Sequence, residues 1–178
     1  IVPVPDKRLD TITHYVQTKK IVPTTMEFVD IAGLIKGASK GEGLGNKFLG
    51  HIREVDAIAH VVRCFEDGNV PHVSDIIDPA SDIDTINTEL IISDIENLDR
   101  RKTKIEKLAK SGDKEARMQV EVIAKLAEAL DQNQPARAVK GFNDEQEQYV
   151  KSLTLLSAKP VLYICNVMDP GDTENELV

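Results

Sequence analysis

An aspartate closing an apolar run, with a glycine three positions on, is an arrangement that senses a terminal phosphate, and Asp30-Ile31-Ala32-Gly33 supplies it. The Asp30 carboxylate is suited to hold the water shell of a nucleotide-bound Mg²⁺, and Gly33 lets a backbone amide approach a γ-phosphate with no side chain between. Gly37, Gly41, Gly43 and Gly45 follow and give the segment the freedom that a phosphate-ordered switch needs. Taken alone, the tetrapeptide reads as well as an aspartate capping a turn, and the glycines as an ordinary surface loop. The strand-like run at residues 26–29 is what favours phosphate sensing.

A second set lies near the other end. Asn166, Val167, Met168 and Asp169 follow the apolar run VLYIC, where P-loop GTPases keep N-K-x-D. There the Asn braces the phosphate loop and the Asp accepts hydrogen bonds from the guanine edge. The bland alternative is an Asn and an Asp opening a loop before Pro170-Gly171. Val167 replaces the lysine whose stem packs over the base, which loosens the pocket or changes the base it takes. Leu34, directly after Gly33, stands where a Ras-like enzyme carries its water-orienting glutamine. A leucine cannot orient water, so hydrolysis is expected to be slow or to use another group. His51 and His60 are nearby, but an isolated histidine on a helix or strand is more often structural. No G-x-x-x-x-G-K-[ST] turn precedes Asp30, so no phosphate-cradling lysine or Mg²⁺-binding hydroxyl is assigned.

The elements that must position these residues alternate. Three short apolar runs, at residues 26–29, 57–65 and 160–167, read as buried strands of a parallel sheet. Residues 8–16, with Leu9, Ile12 and Tyr15 or Val16, and residues 44–55, with Leu44, Phe48, Leu49 and Ile52, read as helices covering its faces. That alternation is α/β, a doubly wound and mainly parallel sheet. Between residues 82 and 130 the chain becomes charged and helical, broken once at Lys110-Ser111-Gly112-Asp113, which predicts an antiparallel helical hairpin. Ile83, Ile86, Leu90, Ile95, Leu98, Ile105 and Leu108 mark one arm, and Ala116, Val120, Ile123, Ala127 and Leu130 the other. Each stripe is narrow enough for a coiled-coil seam. Residues 133–141 read as a return linker, and residues 144–156 as a further helix leading into the last strand.

With 178 residues, 41% of them hydrophobic, the chain holds one core plus an extended insert. A net charge of -8 excludes a general polyanion binder, so DNA is not an expected partner. Around the helical turn, however, Arg100, Arg101, Lys102, Lys104, Lys107, Lys110, Lys114 and Arg117 face only Asp99, Glu106, Asp113 and Glu115. This local basic excess suits an RNA or ribosomal contact, and equally a solvated face laced with ion pairs. Cys64 and Cys165, each in an apolar run, read as buried thiols in a reducing compartment. No apolar run approaches the roughly 20 residues that span a bilayer, and IVPVPDKRL has no signal-peptide pattern, so a cytoplasmic protein is expected.

The strings PTTMEFVDIAGLIKGASKGEGLGNKFLGHIRE, DAIAHVVRCFED and DIDTINTELIISDIENL closely resemble the YchF or Obg-like ATPase family, across essentially the whole chain. The resemblance implies a P-loop NTPase domain interrupted by a coiled-coil insert, with residues 1–81 and 142–178 in the nucleotide domain and 82–141 in the insert. It further implies a P-loop and first switch before the segment matching Ile1, and a C-terminal TGS domain after Val178. Carried to matching positions, it makes Asp30 and Gly33 γ-phosphate and Mg²⁺ sensors, Leu34 the hydrophobic replacement for the catalytic glutamine, and residues 166–169 the base loop. The family typically ends that loop in Glu, a change associated with ATP preference, whereas this chain has Asp169. ATP with Mg²⁺ is the expected ligand and GTP the alternative. The expected function is a slowly hydrolysing nucleotide switch that binds the ribosome or rRNA. The competing expectation is a non-enzymatic module acting through its helical hairpin.

Overall fold

The computed structural model describes residues 1–31, 44–70, 76–171 and 174–178. The chain divides into two compact units, Ile1–Ala32 and Gly33–Val178. In the first, strand β1 (Val2–Pro3) pairs antiparallel with β2 (Thr25–Met26), Val2 facing Met26 and Pro3 facing Thr25. Helix α1 (Lys7–Thr13) lies between them, its N-cap Asp6 accepting from the Arg8 amide at 2.9 Å. Two expectations are corrected here. Residues 26–29 do not form a buried parallel strand, and α1 covers no sheet face, since it has no buried residue. Met26, Phe28, Val29, Ile12, Tyr15 and Val16 are all exposed. The cause is local: the β1–β2 ladder has two residue pairs, extended by one bond from the Val4 amide to the Thr24 carbonyl at 2.8 Å, and so short a ribbon presents no surface for apolar groups to bury.

The second unit is mixed helix and parallel sheet. Helix α2 (Leu44–Glu54) buries Leu49 and Ile52, as its periodicity predicts. Strand β3 (Ile58–Arg63) then pairs in parallel with β4 (Val161–Asn166), in register from Ile58 opposite Val161 to Arg63 opposite Asn166. Helix α3 (Pro79–Lys110) runs 32 residues, about 48 Å at 1.5 Å per residue. It starts at N-cap Asp78 with Pro79 in the first turn and ends where Gly112 takes φ +100. Asp113 caps the start of α4 (Lys114–Asp131), accepting from the Ala116 amide at 2.8 Å. A 3₁₀ turn (Ala136–Ala138) follows, and helix α5 (Asp144–Ser152) opens with a capping box between Asn143 and Gln146.

The core sits among these helices, not under the sheet. Ile91 and Leu98 of α3, Val122, Ile123, Leu126 and Leu130 of α4, and Leu153 and Leu155 after α5 form one buried cluster. The stripe expected on α4 is thus too narrow. Val122 and Ile123 are adjacent and both buried, because α4 packs on α3 on one side and α5 on the other. Helix α5 also ends earlier than expected, at Ser152. Thr154 adopts φ +51, a left-handed turn that stops the helix, and Leu153, Leu155 and Leu156 beside it are all buried. Of the cysteines, Cys64 is buried as expected, with burial and then its neighbour Cys165 raising its thiol pKa. Cys165 is exposed, contrary to expectation, because β4 has only β3 beside it among the described residues.

Candidate functional site

Parallel strands present their carboxyl ends to one edge of a sheet, where α/β proteins bind ligands. Two loops leave that edge here. The loop after β3 is shaped by Arg63, whose guanidinium donates to the carbonyls of Phe65 (3.0 Å), Val70 (3.0 Å) and Asp67 (3.1 Å) and stacks 4.7 Å from the Phe65 ring centre. The loop after β4 begins at Asn166, whose carbonyl accepts from the Cys64 amide at 2.8 Å and so extends the ladder one step. Val167 is half-buried, Met168 is exposed, and Asp169 turns the chain by accepting from the Gly171 amide on Oδ1 at 2.8 Å. Further on, the Asn175 side chain donates to the Cys64 carbonyl at 3.0 Å and ties the returning chain to the end of β3. Residues 166–169 therefore stand together at the carboxyl edge, with one Asp169 oxygen engaged in the loop's own turn.

The phosphate-sensing candidates divide differently. Asp30 lies in the first unit as an exposed carboxylate beyond β2. Gly33 and Leu34, with Gly37, Gly41 and Gly43, lie outside the described residues. His51 is exposed on α2. His60 is half-buried on β3, 5.7 Å from the Tyr163 ring, and burial lowers its pKa, with Asp82 pulling the other way. A half-buried imidazole tilted against a neighbouring strand's ring is a packing group, in keeping with the structural reading.

Sequence reasoning missed Asp94. It is wholly buried on α3, yet its carboxylate accepts from the amides of Leu156 (2.8 Å) and Ser157 (2.7 Å) and from the Ser157 hydroxyl (2.7 Å). Ser157 Oγ accepts in turn from the Ala136 amide at 3.1 Å. On the same face of α3, Asn87 donates to the Tyr163 hydroxyl at 3.4 Å and accepts from Arg137 at 3.2 Å, and Asn97 donates to the Leu153 carbonyl at 3.4 Å. Asn87, Asp94 and Asn97 recur at helical spacing on α3, but Glu89 and Ser93 are buried there too, so the spacing does not single Asp94 out.

Burial is the largest influence on Asp94 and raises its pKa, while the Ser157 and Leu156 donors, and Arg53 of α2 at longer range, oppose it. The folded protein therefore holds this proton at a pH where the unfolded chain, with aspartate at its ordinary value of 3.8, has lost it. Stability from this group falls as pH rises through that window, the reverse of a salt-bridged carboxylate. Relative to Asp94→Asn, the native chain is expected to gain stability as pH is lowered toward 4. Urea midpoints of both proteins at pH 7 and about pH 4.5 check the sign; a gap that narrows on acidification contradicts it.

An open hollow of about 440 Å³ lies at the N-terminal end of α3, lined by Asp78, Asp84, Thr85, Thr88 and Glu89 among others. Its carboxylates would repel a polyphosphate, so it is no rival to the strand-edge loops. At the opposite end of α3, Lys104, Lys107 and Lys110 are exposed, and their ammonium groups make no hydrogen bond or ion pair among the described residues. No described helix is long and apolar enough to cross a membrane.

Comparison with known proteins identifies the family. The sequence profile of the 50S ribosome-binding GTPase family matches residues 4–167. The ribosome-binding ATPase YchF of Bacillus subtilis is 55% identical over 98% of the chain and 49% of its own length. That of Haemophilus influenzae is 51% identical over 98% and 48%. The solved structure of the Schizosaccharomyces pombe YchF GTPase superposes with a TM-score of 0.74 at 40% identity, covering 93% of this chain and 45% of that one. The chain thus spans about half the length of the curated relatives it matches.

Proposed function

Since the chain belongs to the 50S ribosome-binding GTPase family, over nearly its whole length and with YchF proteins as relatives, we propose that it forms part of a cytoplasmic, ATP-binding and slowly hydrolysing switch that acts on the ribosome. In this reading residues 1–81 and 142–178 belong to a doubly wound nucleotide domain, and residues 82–141 to an inserted antiparallel coiled coil. The observation that carries it is the position of Asn166, Val167, Met168 and Asp169 directly at the carboxyl end of β4, on the edge where α/β sheets bind nucleotides.

The base sits against residues 166–169. Val167 offers no ammonium to a guanine site, and Asp169 already commits Oδ1 to Gly171, which supports ATP over GTP. Asp30 is the carboxylate that would hold Mg²⁺, through one of the waters this metal keeps in such sites. When bound, the metal would supply positive charge against that building on the transferring phosphate. Gly33 brings its amide to the γ-phosphate, and Leu34 leaves the attacking water unoriented, so turnover is slow until the ribosome or another partner supplies what is missing. Loss of the γ-phosphate then releases the glycine-rich segment and alters the surface offered to the partner.

The test is competition of ATP and GTP against a fluorescent nucleotide on the full-length protein, with and without Mg²⁺, alongside hydrogen exchange of residues 32–43. ATP is expected to win, and to protect that segment only with Mg²⁺. Gly33→Ala should keep ATP binding while abolishing the protection, because a Cβ intrudes between amide and phosphate. GTP winning would reverse the base assignment. Ribosome binding with no nucleotide protection at all would replace the switch by a binding module working through α3 and α4.

A further inference from the structure

We propose that Asp94 is a positioning residue for the base loop: it fixes the segment from which β4 departs, and so sets where residues 166–169 meet the base. The proposal rests on the reading of those residues given above. Asp94 lies in the interior of α3, more than sixty residues from its partners, and has no solvent contact. A carboxylate is costly at such a place, and a leucine there would pack the helices more cheaply. What only the carboxylate can do is capture two successive amides and a hydroxyl at once, which locks the backbone of Leu156 and Ser157 in one conformation.

From Ser157 the path to the base loop is short and stiff. Pro160 has a fixed φ, and its carbonyl accepts from the Ile58 amide at 2.9 Å, so the ladder with β3 begins there. The strand then runs without interruption from Val161 to Asn166, where the loop begins. A second tie acts along the way. Arg137 donates from its guanidinium and its backbone amide to the Ser157 carbonyl, and to Asn87, which in turn donates to the Tyr163 hydroxyl three residues before Asn166. Helix α3 thus grips β4 before its start and at its middle, and Asp94 makes the more buried and shorter of the two grips. Freed of it, β4 keeps its pairing with β3 but loses the anchor that sets its angle to the helices.

Positioning and mere stability are separable, because a ligand exists that lacks the base. The affinities of full-length protein for Mg²⁺-ATP and for Mg²⁺-tripolyphosphate are measured by isothermal titration, at a temperature where circular dichroism shows the variant folded. Asp94→Asn is expected to weaken ATP about tenfold or more, since small misplacements of a binding group cost that much, and to leave tripolyphosphate unchanged. Asp94→Glu, which keeps the carboxyl group but lengthens the reach, should recover part of the loss. Should Asp94→Asn fail to fold, Ser157→Ala is measured in its place; it removes only the hydroxyl bonds and should weaken ATP less, again sparing tripolyphosphate. Equal losses for both ligands, or none for ATP in a folded variant, would overturn the proposal. A native protein that binds ATP no better than tripolyphosphate would refute the base loop itself, and the positioning role with it.

Discussion

Leu126→Ala is expected to destabilise the chain by about 3 kcal/mol, a large share of the margin by which domains of this size stay folded. Leu126 has no solvent exposure and lies inside the cluster formed by Ile91, Leu98, Val122, Leu130, Leu153 and Leu155. Its neighbours come from α3, α4 and the segment after α5, so no single element can move in to fill the space without breaking contacts with another. The Asp94 bonds tie α3 to the segment after α5, and the Lys125 ammonium, bonded to the carbonyls of Lys140 (2.7 Å) and Gly141 (2.9 Å), ties α4 to the chain before α5, so these elements are fixed where they stand. Poor collapse places the cost above the low end of the range for leucine truncation. Leu108→Ala is the control, since Leu108 is 56% exposed near the end of α3 and its removal leaves no void; the change there should stay within about 0.5 kcal/mol. Urea unfolding followed by far-ultraviolet circular dichroism measures both. Equal effects would mean that the buried cluster is not what holds the helices together.

That cluster also separates what the sequence disclosed from what it concealed. The turn between α3 and α4 was legible because each signal in it is local: a basic last turn, Gly112 where φ turns positive, and Asp113 capping the next helix. Strands β3 and β4 were legible as strands because their apolar runs are short and rich in β-branched residues, but their expected burial is corrected: Val61 of β3 and Leu162, Tyr163, Ile164 and Cys165 of β4 are exposed, since among the described residues each strand has only the other beside it. The run at residues 26–29 carries the same local signal and failed, because a strand is buried only by what pairs with it and packs on it. Strand β2, at the start of that run, found only a two-residue partner. The width of the α4 face was hidden for a related reason. A stripe read from one helix assumes one partner, and α4 has two. Asp94 was hidden most deeply, since nothing near it in sequence distinguishes it from Asp82, Asp84 or Asp99 on the same helix. Its role comes from Ser157, supplied by a stretch of chain that returns only after α4 and α5. In the candidate site, the position of residues 166–169 after an apolar strand was readable, whereas Arg63 and Asn175, which shape and tie the neighbouring loop, act through backbone carbonyls and leave no spacing to detect.

Replacing Lys104, Lys107 and Lys110 together by Glu is expected to weaken ribosome binding by about a hundredfold at low salt and to flatten its dependence on salt. These side chains recur at every third position on α3, so they fall near one face of the helix close to its exposed end, and none is occupied by a bond within the described residues. Arg100, Arg101 and Arg117 nearby differ, because each donates to a group of its own helix pair: the Glu96 carbonyl, Asn97 Oδ1 and the Ala109 carbonyl. The arginines thus shape the basic end while the lysines remain available to phosphate. The overall charge of -8 sharpens the expectation, since the rest of the surface repels RNA and cannot substitute for a lost contact. Each phosphate contact contributes about 0.7 to 0.9 to the slope of log affinity against log salt, so losing three should lower that slope by roughly two to three. Changing the same residues to Gln removes the attraction without adding repulsion, and should lower the slope similarly with a smaller loss at low salt. Sedimentation of the full-length protein with 70S ribosomes and 50S subunits across a salt series reads both quantities. If reversal leaves affinity and slope unchanged, these lysines are solvated surface and the ribosome contact lies elsewhere. If reversal weakens binding while nucleotide affinity stays the same, the basic end of α3 serves the ribosome independently of the base loop.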